Sequence, residues 1–250
     1  PKLEKALSLA ETKGKVAYDV MTERSEITTI LQKELALESA VTGKVGPGTQ
    51  AEPAIEMESV HHLMKMVAGS VNLRPDWFFD TAEQGEALAD VATHLVDLVP
   101  WTLFPGQPID YRTEVGVLAA KRWPTVLDEA QLLRLTGEKA LPKALASRLQ
   151  GGKLDYFANG EASFTVRGVH ARVKVLWNYE APAGAGDTHV AFVRGSRARL
   201  EILQGEEQRW RPELYVVPHR PADAPAVKAA LEQRVAELAK ARPGLSVEDE

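Results

Sequence analysis

The sequence predicts an α+β fold, an open and mostly antiparallel sheet flanked by helices. Three observations predict it. Helical spacing dominates the first hundred residues, β-like runs follow one another from Leu154 onward, and glycine-containing turns rather than helices separate those runs. At 250 residues, 44% of them hydrophobic, the chain can hold one large domain or slightly more around a proper core.

Taking the elements in order, "PKLEKALSLA" spaces Leu3, Ala6, Leu7 and Ala10 as a helix does, Gly14 is a C-cap, and "KVAYDV" at 15–20 reads as a short buried strand. A helix followed by a strand is how a βαβ series ends, so residues 1–24 read as the tail of a preceding domain and 25–250 as the domain proper. The opening without Met or a secretory segment, and the short acidic stub at the other end, read as a piece of a longer chain. Ser25, with Glu26 behind it, caps a helix marked by Ile27, Ile30, Leu31 and Leu35. After a loop, "VTGKVGPGTQAEP", Ser59 reads as the cap of a short helix through Val60, Leu63, Met64 and Val67 that stops at Gly69. His61 and His62 adjoin each other and must point in different directions, so they read as surface or packing residues rather than as a metal pair.

The stretch "GEALADVATHLVDLV" at 85–99 reads as a helix ended by Pro100. At the helical repeat, Glu86, Asp90, His94 and Asp97 fall within an arc of roughly 80°, and the rest of the circumference is Ala, Leu and Val apart from Thr93. A helix wetted on so thin a stripe either breaks the surface narrowly or lines a cleft. Asp90 and His94 stand at i, i+4. That spacing suits a salt-bridged pair on an exposed face, and it equally suits an imidazole oriented and tuned by a carboxylate for acid–base work. No third soft ligand accompanies them, so no metal is expected.

Beyond residue 110, "DYRTEVGVLAAKRW" reads as a strand, and the runs from Leu154 to "RPELYVV" as several more. Val169, Ala171, Val173, Val175 and Trp177 alternate onto one buried face, while His170, Arg172, Lys174 and Leu176 lie on the other, open to solvent, a ligand or another subunit. The glycine cluster "APAGAGDTH" at 181–189 lies between two strands with no helix to open, so it reads as a hairpin loop rather than a dinucleotide fingerprint. Asp187 and His189 become site residues if that loop folds over a cleft. A last helix runs through "APAVKAALEQRVAELAK".

Thirty basic against 35 acidic residues give a net charge of -5, and no basic cluster is interleaved with aromatics, which speaks against a nucleic-acid partner. The absence of cysteine removes thiol catalysis and Cys-ligated zinc and leaves the compartment, cytoplasmic or exported, undecided. No apolar run is long enough to span a bilayer.

The longer pattern Trp77-x-x-Asp80, Gly85, then Asp90-x-x-x-His94-x-x-Asp97 resembles the signature of the glucose-fructose oxidoreductase, inositol dehydrogenase and rhizopine catabolism (Gfo/Idh/MocA) family. "AYDVMTERSEITTILQKEL", "RPDWFFD", "AKRWPTVL", "NYEAPAGAGDTH" and "RPELYV" look like its putative oxidoreductase C-terminal domain group, over nearly the whole chain. The sequence departs from the signature in its reduced turn Gln84-Gly85-Glu86 and in Ala92, where the family has glycine. The resemblance implies a dihydrodipicolinate-reductase-like C-terminal domain, preceded by the last helix and strand of a Rossmann domain that binds NAD or NADP upstream of Pro1. It implies hydride transfer to or from a sugar or polyol, with His94 as the catalytic base, Asp90 as its carboxylate partner, and a homo-oligomer formed through the open sheet face. Arg122 and Trp123, with Trp77, Asp187 and His189, are the candidate substrate contacts, since a guanidinium and aromatic planes suit hydroxyls and the face of a sugar ring. Two alternatives remain: a nicotinamide-dependent glycoside hydrolase of the same fold, and a non-catalytic carbohydrate-binding or oligomerisation module. On any of them, the chain alone is expected to be inactive, because most of the cofactor site lies outside it.

Overall fold

The computed structural model describes residues 2–17, 21–67 and 69–249. Helix α1 (Lys2–Thr12) comes first, followed by a 3-10 turn over Thr22–Ser25 and α2 (Ile27–Ala36). Next stand β1 (Ile55–Met64), a small hairpin of β2 (Met66–Val67) and β3 (Ser70–Val71), α3 (Thr81–Gln84) and α4 (Ala92–Leu103). The rest is β4 (Val115–Asp128), α5 (Glu129–Thr136), α6 (Lys143–Ala146), β5 (Lys153–Val166), β6 (Val169–Glu180), β7 (Thr188–Arg194), β8 (Ala198–Gln204), β9 (Glu213–Pro218) and α7 (Ala224–Ala239). Seven strands form one open sheet in the order β4-β5-β6-β1-β7-β8-β9, antiparallel at every pairing except β1 with β6. The expected α+β class and open sheet are thus what the chain adopts.

One face of the sheet is dry. Ile55 and Met57 of β1, Ala171, Val173, Val175 and Trp177 of β6, and Leu200 and Ile202 of β8 are buried there against Leu35 of α2 and Leu95, Leu98 and Val99 of α4. Period-two alternation on strands meeting helical stripes is the pattern that lets both kinds of element bury one side only. Gln32 ties α2 to the sheet by donating from Nε2 to the carbonyl of Ala191 at 2.9 Å. Gly160 of β5 lets the 85–91 turn settle on the sheet, since a side chain there would meet Leu88 at 3.1 Å.

The other face carries charges in register. Glu56 accepts from Arg172 Nε at 3.0 Å on one neighbouring strand and from Arg194 Nη2 at 2.7 Å on the other. Lys174 pairs with Glu58 at 2.8 Å, and Lys121 with Glu161 at 3.1 Å. Burial raises the Glu56 carboxyl pKa, but the two guanidinium groups outweigh it and hold the pKa below the ordinary value.

Several local readings are corrected. Residues 55–64 form strand β1 and not the helix expected after Ser59, because Ile55, Met57 and Ser59 alternate into the core. The stop expected at Pro100 does not occur. α4 begins at Ala92 and carries Pro100 within its last turn, ending at Leu103. Glu26, rather than Ser25, caps α2 by accepting from Thr29 N–H at 2.9 Å. Of the strand expected over 15–20, residues 15–17 are exposed and irregular, and 18–20 lie outside the described residues. The loop at 181–187 is not a hairpin, because β1 lies between the two strands it joins.

Candidate active site

The place of β1 between β6 and β7 assembles a site. β6 and β7 flank β1, so the loop joining them must step over the end of β1, and it lowers Asp187 onto the residues there. His61 Nδ1 lies 3.1 Å from Asp187 Oδ2, His62 Nδ1 lies 3.3 Å from Oδ1, and the Lys65 ammonium pairs with the same carboxylate. Burial pushes the Asp187 pKa up, but hydrogen bonds from His61 and Lys65 and their charges overcome it and hold the carboxyl well below its usual range. Asp187 is therefore an anion that clamps the glycine loop to the strand.

Around this clamp lies a cleft of about 410 Å³. β1 supplies Ser59 and His61, β7 supplies His189, α4 supplies His94 with Leu95, and the 3-10 turn before α2 supplies Glu23. Ser59 and His189 are directly opposed across strands, with Oγ and Nδ1 2.8 Å apart. Burial lowers the His189 pKa to about 4, His61 adds to the effect, and Glu23 and Glu26 oppose it, so this ring is neutral at ordinary pH. His94 Nδ1 lies in close contact with the Glu23 carboxylate, without the alignment of a hydrogen bond.

Of the residues singled out from the sequence, His94, Asp187 and His189 come together in this cleft. Asp90 does not line it and does not bond to His94. The reason is local: Asp90 lies in a turn, where its N–H reaches Glu86 O at 2.9 Å, and α4 starts two residues later, so helical i, i+4 geometry is not available to the pair. Burial raises the Asp90 pKa against a hydrogen bond from Gln84 and the charges of His61, His94 and Arg74. Beside it, the Tyr156 phenol is pushed above its ordinary pKa by burial and by Asp90, and the Arg74 guanidinium stands 4.8 Å from the Phe78 ring and 5.4 Å from Trp177. Asp97 instead pairs with Arg24, 2.6 Å from Oδ2 to Nε.

Three candidate contacts lie elsewhere. Arg122 pairs with Glu86 over the ring of Phe157, Trp123 stands near Lys121 on the edge strand, and Trp77 is half exposed beside Asp76. None of the three lines the cleft. Conversely, Ser59 and His61, expected as a helix cap and as a surface or packing residue, line the cleft, as does Glu23, which the sequence does not single out. The signal was present in "IEMESVHH", where Ile55, Met57, Ser59 and His61 alternate with period two, but the apolar spacing of Val60, Leu63, Met64 and Val67 favoured a helix. Among the described residues no group of three or more His, Asp or Glu side chains is arranged to hold a metal ion, and no helix is long and apolar enough to cross a membrane.

The chain is thus an α+β domain, an open sheet with helices packed on its apolar face and an imidazole-lined cleft beside its central strand. Residues 31–250 match the family described as "Putative oxidoreductase C terminal domain", and the chain belongs to that family. It is similar to the crystal structure of a putative oxidoreductase from Parabacteroides merdae, with 41% identity and a TM-score of 0.91 over 99% of this chain and 56% of that one. A putative oxidoreductase from Erwinia carotovora atroseptica shares the fold at 15% identity and a TM-score of 0.50, over 87% of this chain and 53% of that one. The WlbA dehydrogenase from Bordetella pertussis, solved with NADH and UDP-GlcNAcA, is a distant likeness (13% identity, TM-score 0.43, 99% of this chain and 68% of that one) from which no residue is carried across. The chain spans about half the length of the first two structures. No curated protein matches it.

Proposed function

We propose that this chain is the substrate-binding part of an NAD- or NADP-dependent oxidoreductase acting on a CH–OH group of a sugar or polyol. On this reading, residues 1–24 close a nucleotide-binding domain that precedes Pro1, and 25–250 form the substrate domain. The observation that carries it is the gathering of His94, His61 and His189 with Glu23 and Asp187 in one cleft. Hydride leaves a carbinol carbon only as the hydroxyl proton is taken, which calls for a neutral base close by. His94 takes that proton, and Glu23 orients its ring and stabilises the charge that forms. Asp90, two residues before α4, adds negative potential near His94 and does not hold the imidazole directly. His189 contacts another of the substrate's oxygens, and Asp187, its own oxygens taken by His61, His62 and Lys65, acts on the substrate through them.

The residues present fit the proton-handling half of this chemistry. They do not fit the phosphates of a dinucleotide, since Gly184 and Gly186 stand between two strands with no helix N-terminus behind them. The nicotinamide, held by the upstream domain, supplies the hydride acceptor. The exposed apolar residues of α1, among them Leu3 and Leu7 at 71% and 46% accessibility, support its packing against such a domain. On this reading the open sheet face, whose charges are paired across strands within one chain, is also where a second copy packs.

The test uses the full-length protein that contains this chain. Copurified nicotinamide and reduced-cofactor absorbance are followed across a panel of sugars and polyols, with His94→Ala alongside. Bound cofactor, and turnover that falls at least ~100-fold in the variant, is the expected result. No turnover of any sugar, or turnover that survives the substitution, overturns the reading.

A further inference from the structure

Buried polar atoms nearly always have a hydrogen-bond partner, and one that lacks a partner inside a cleft marks a place where a ligand atom can complete it. His61 Nε2 is such an atom: it is buried and without a partner, on a ring that lines the cleft. The ring is held from two sides. Nδ1 faces Asp187 at 3.1 Å, a carboxylate that Lys65 also anchors, and the Trp177 ring lies against it at a tilt of 32° with centroids 4.8 Å apart. A rotation that gave Nε2 a protein partner would forfeit the contact with Asp187.

The tautomer follows. Asp187 is ionised and can only accept, so Nδ1 carries the proton it donates. In the neutral form of the ring that is the only proton, so Nε2 is a bare lone pair. The charged and titratable groups around the ring are Asp187 and Lys65 at the loop, His62 on its own strand, His189 on β7, Asp90 before α4 and Arg74 across Trp177. None of them donates to Nε2.

We infer that His61 is a specificity-determining residue whose Nε2 accepts a hydrogen bond from a second substrate hydroxyl, distinct from the one His94 deprotonates, and that Asp187 positions it in the accepting tautomer. This rests on the oxidoreductase reading of the cleft and narrows its substrates to polyols that present two hydroxyls to one cleft at once. A site built around a buried acceptor rejects an analogue that lacks the matching donor, because the acceptor is then enclosed with nothing to bond.

The experiment takes, with the full-length protein, the panel sugar of highest turnover and each of its monodeoxy derivatives, in wild type, His61→Phe and Asp187→Ala. Phe keeps a ring against Trp177 and removes the acceptor. Ala removes the oxygen that holds the imidazole proton on Nδ1 and frees it to move to Nε2. The expected result is one monodeoxy derivative that loses about 10- to 100-fold in kcat/KM with wild type and is no longer distinguished by His61→Phe or Asp187→Ala. Nitrogen-15 NMR of histidine-labelled wild type is expected to show His61 protonated on Nδ1 and not on Nε2, and this readout stands even if His61→Phe fails to fold. Equal discrimination in wild type and His61→Phe, or a wild-type proton on Nε2, overturns the inference while leaving His94-dependent turnover intact. Absence of any sugar turnover in wild type overturns the oxidoreductase reading and this inference with it.

Discussion

His189 offers the sharpest test of the charge logic of the cleft. Its folded pKa of about 4 lies below the ordinary histidine value of 6.5. Between those values the unfolded chain binds a proton that the native protein refuses, so stability is complete above about pH 6.5 and is lost as pH falls toward 4. For a wholly enclosed ring the loss between about pH 7.5 and about pH 5 is about 2 kcal/mol; the edge of His189 that remains open brings it to about 1–2 kcal/mol. His189→Gln has no such titration and keeps an amide for Ser59. Urea unfolding of both proteins across this range isolates the effect, since the other histidines titrate in both and cancel. With a denaturant slope near ~3 kcal/mol/M, the wild-type midpoint should fall by about 0.5 M more than that of the variant. Midpoints that fall in parallel would falsify the claim that the cleft holds this imidazole neutral.

Two further perturbations probe the scaffold. In Gly195→Ala the new methyl would lie 2.0 Å from the carbonyl oxygen of Thr42 and 2.3 Å from its Cγ2, so the 41–45 loop must move, and we expect a loss of about 1–3 kcal/mol in chemical denaturation. An unchanged midpoint would show that the loop is not seated there. Glu56→Ala strips the shared acceptor from Arg172 and Arg194; we expect about 1–2 kcal/mol of destabilisation at neutral pH. Because the folded Glu56 pKa is depressed, the difference from wild type should hold above the ordinary value of 4.5 and shrink as pH falls below it, and a difference that grows in acid would refute the pairing.

The sheet was legible wherever alternation was unambiguous: Val169 to Trp177 shows its two faces directly in the order of residues. The 85–99 segment was legible only in part. Its apolar content signalled burial, but nothing in the spacing showed that the helix begins at Ala92, and that start decides whether Asp90 can reach His94. Glu23 became His94's neighbour through tertiary packing of the 22–25 turn beside α4, which no local pattern encodes. The same holds for His61 and Asp187, separated by more than a hundred residues and joined only because β1 is threaded between β6 and β7. His94, Asp187 and His189 stand out in the sequence, and topology brings them into one cleft and chooses their neighbours.

The central placement of β1 also has a bearing on how the molecule is made. Ile55 pairs with Ala171 on one side and with Val193 on the other, so the strand bearing His61 waits for neighbours that leave the ribosome more than a hundred residues later. Until then it is an apolar segment with two unpaired edges, the kind of intermediate that slows folding and invites aggregation. The charges of Glu56 and Glu58 on its outward side suit that interval, keeping half of the waiting strand soluble before Arg172, Lys174 and Arg194 arrive to claim it.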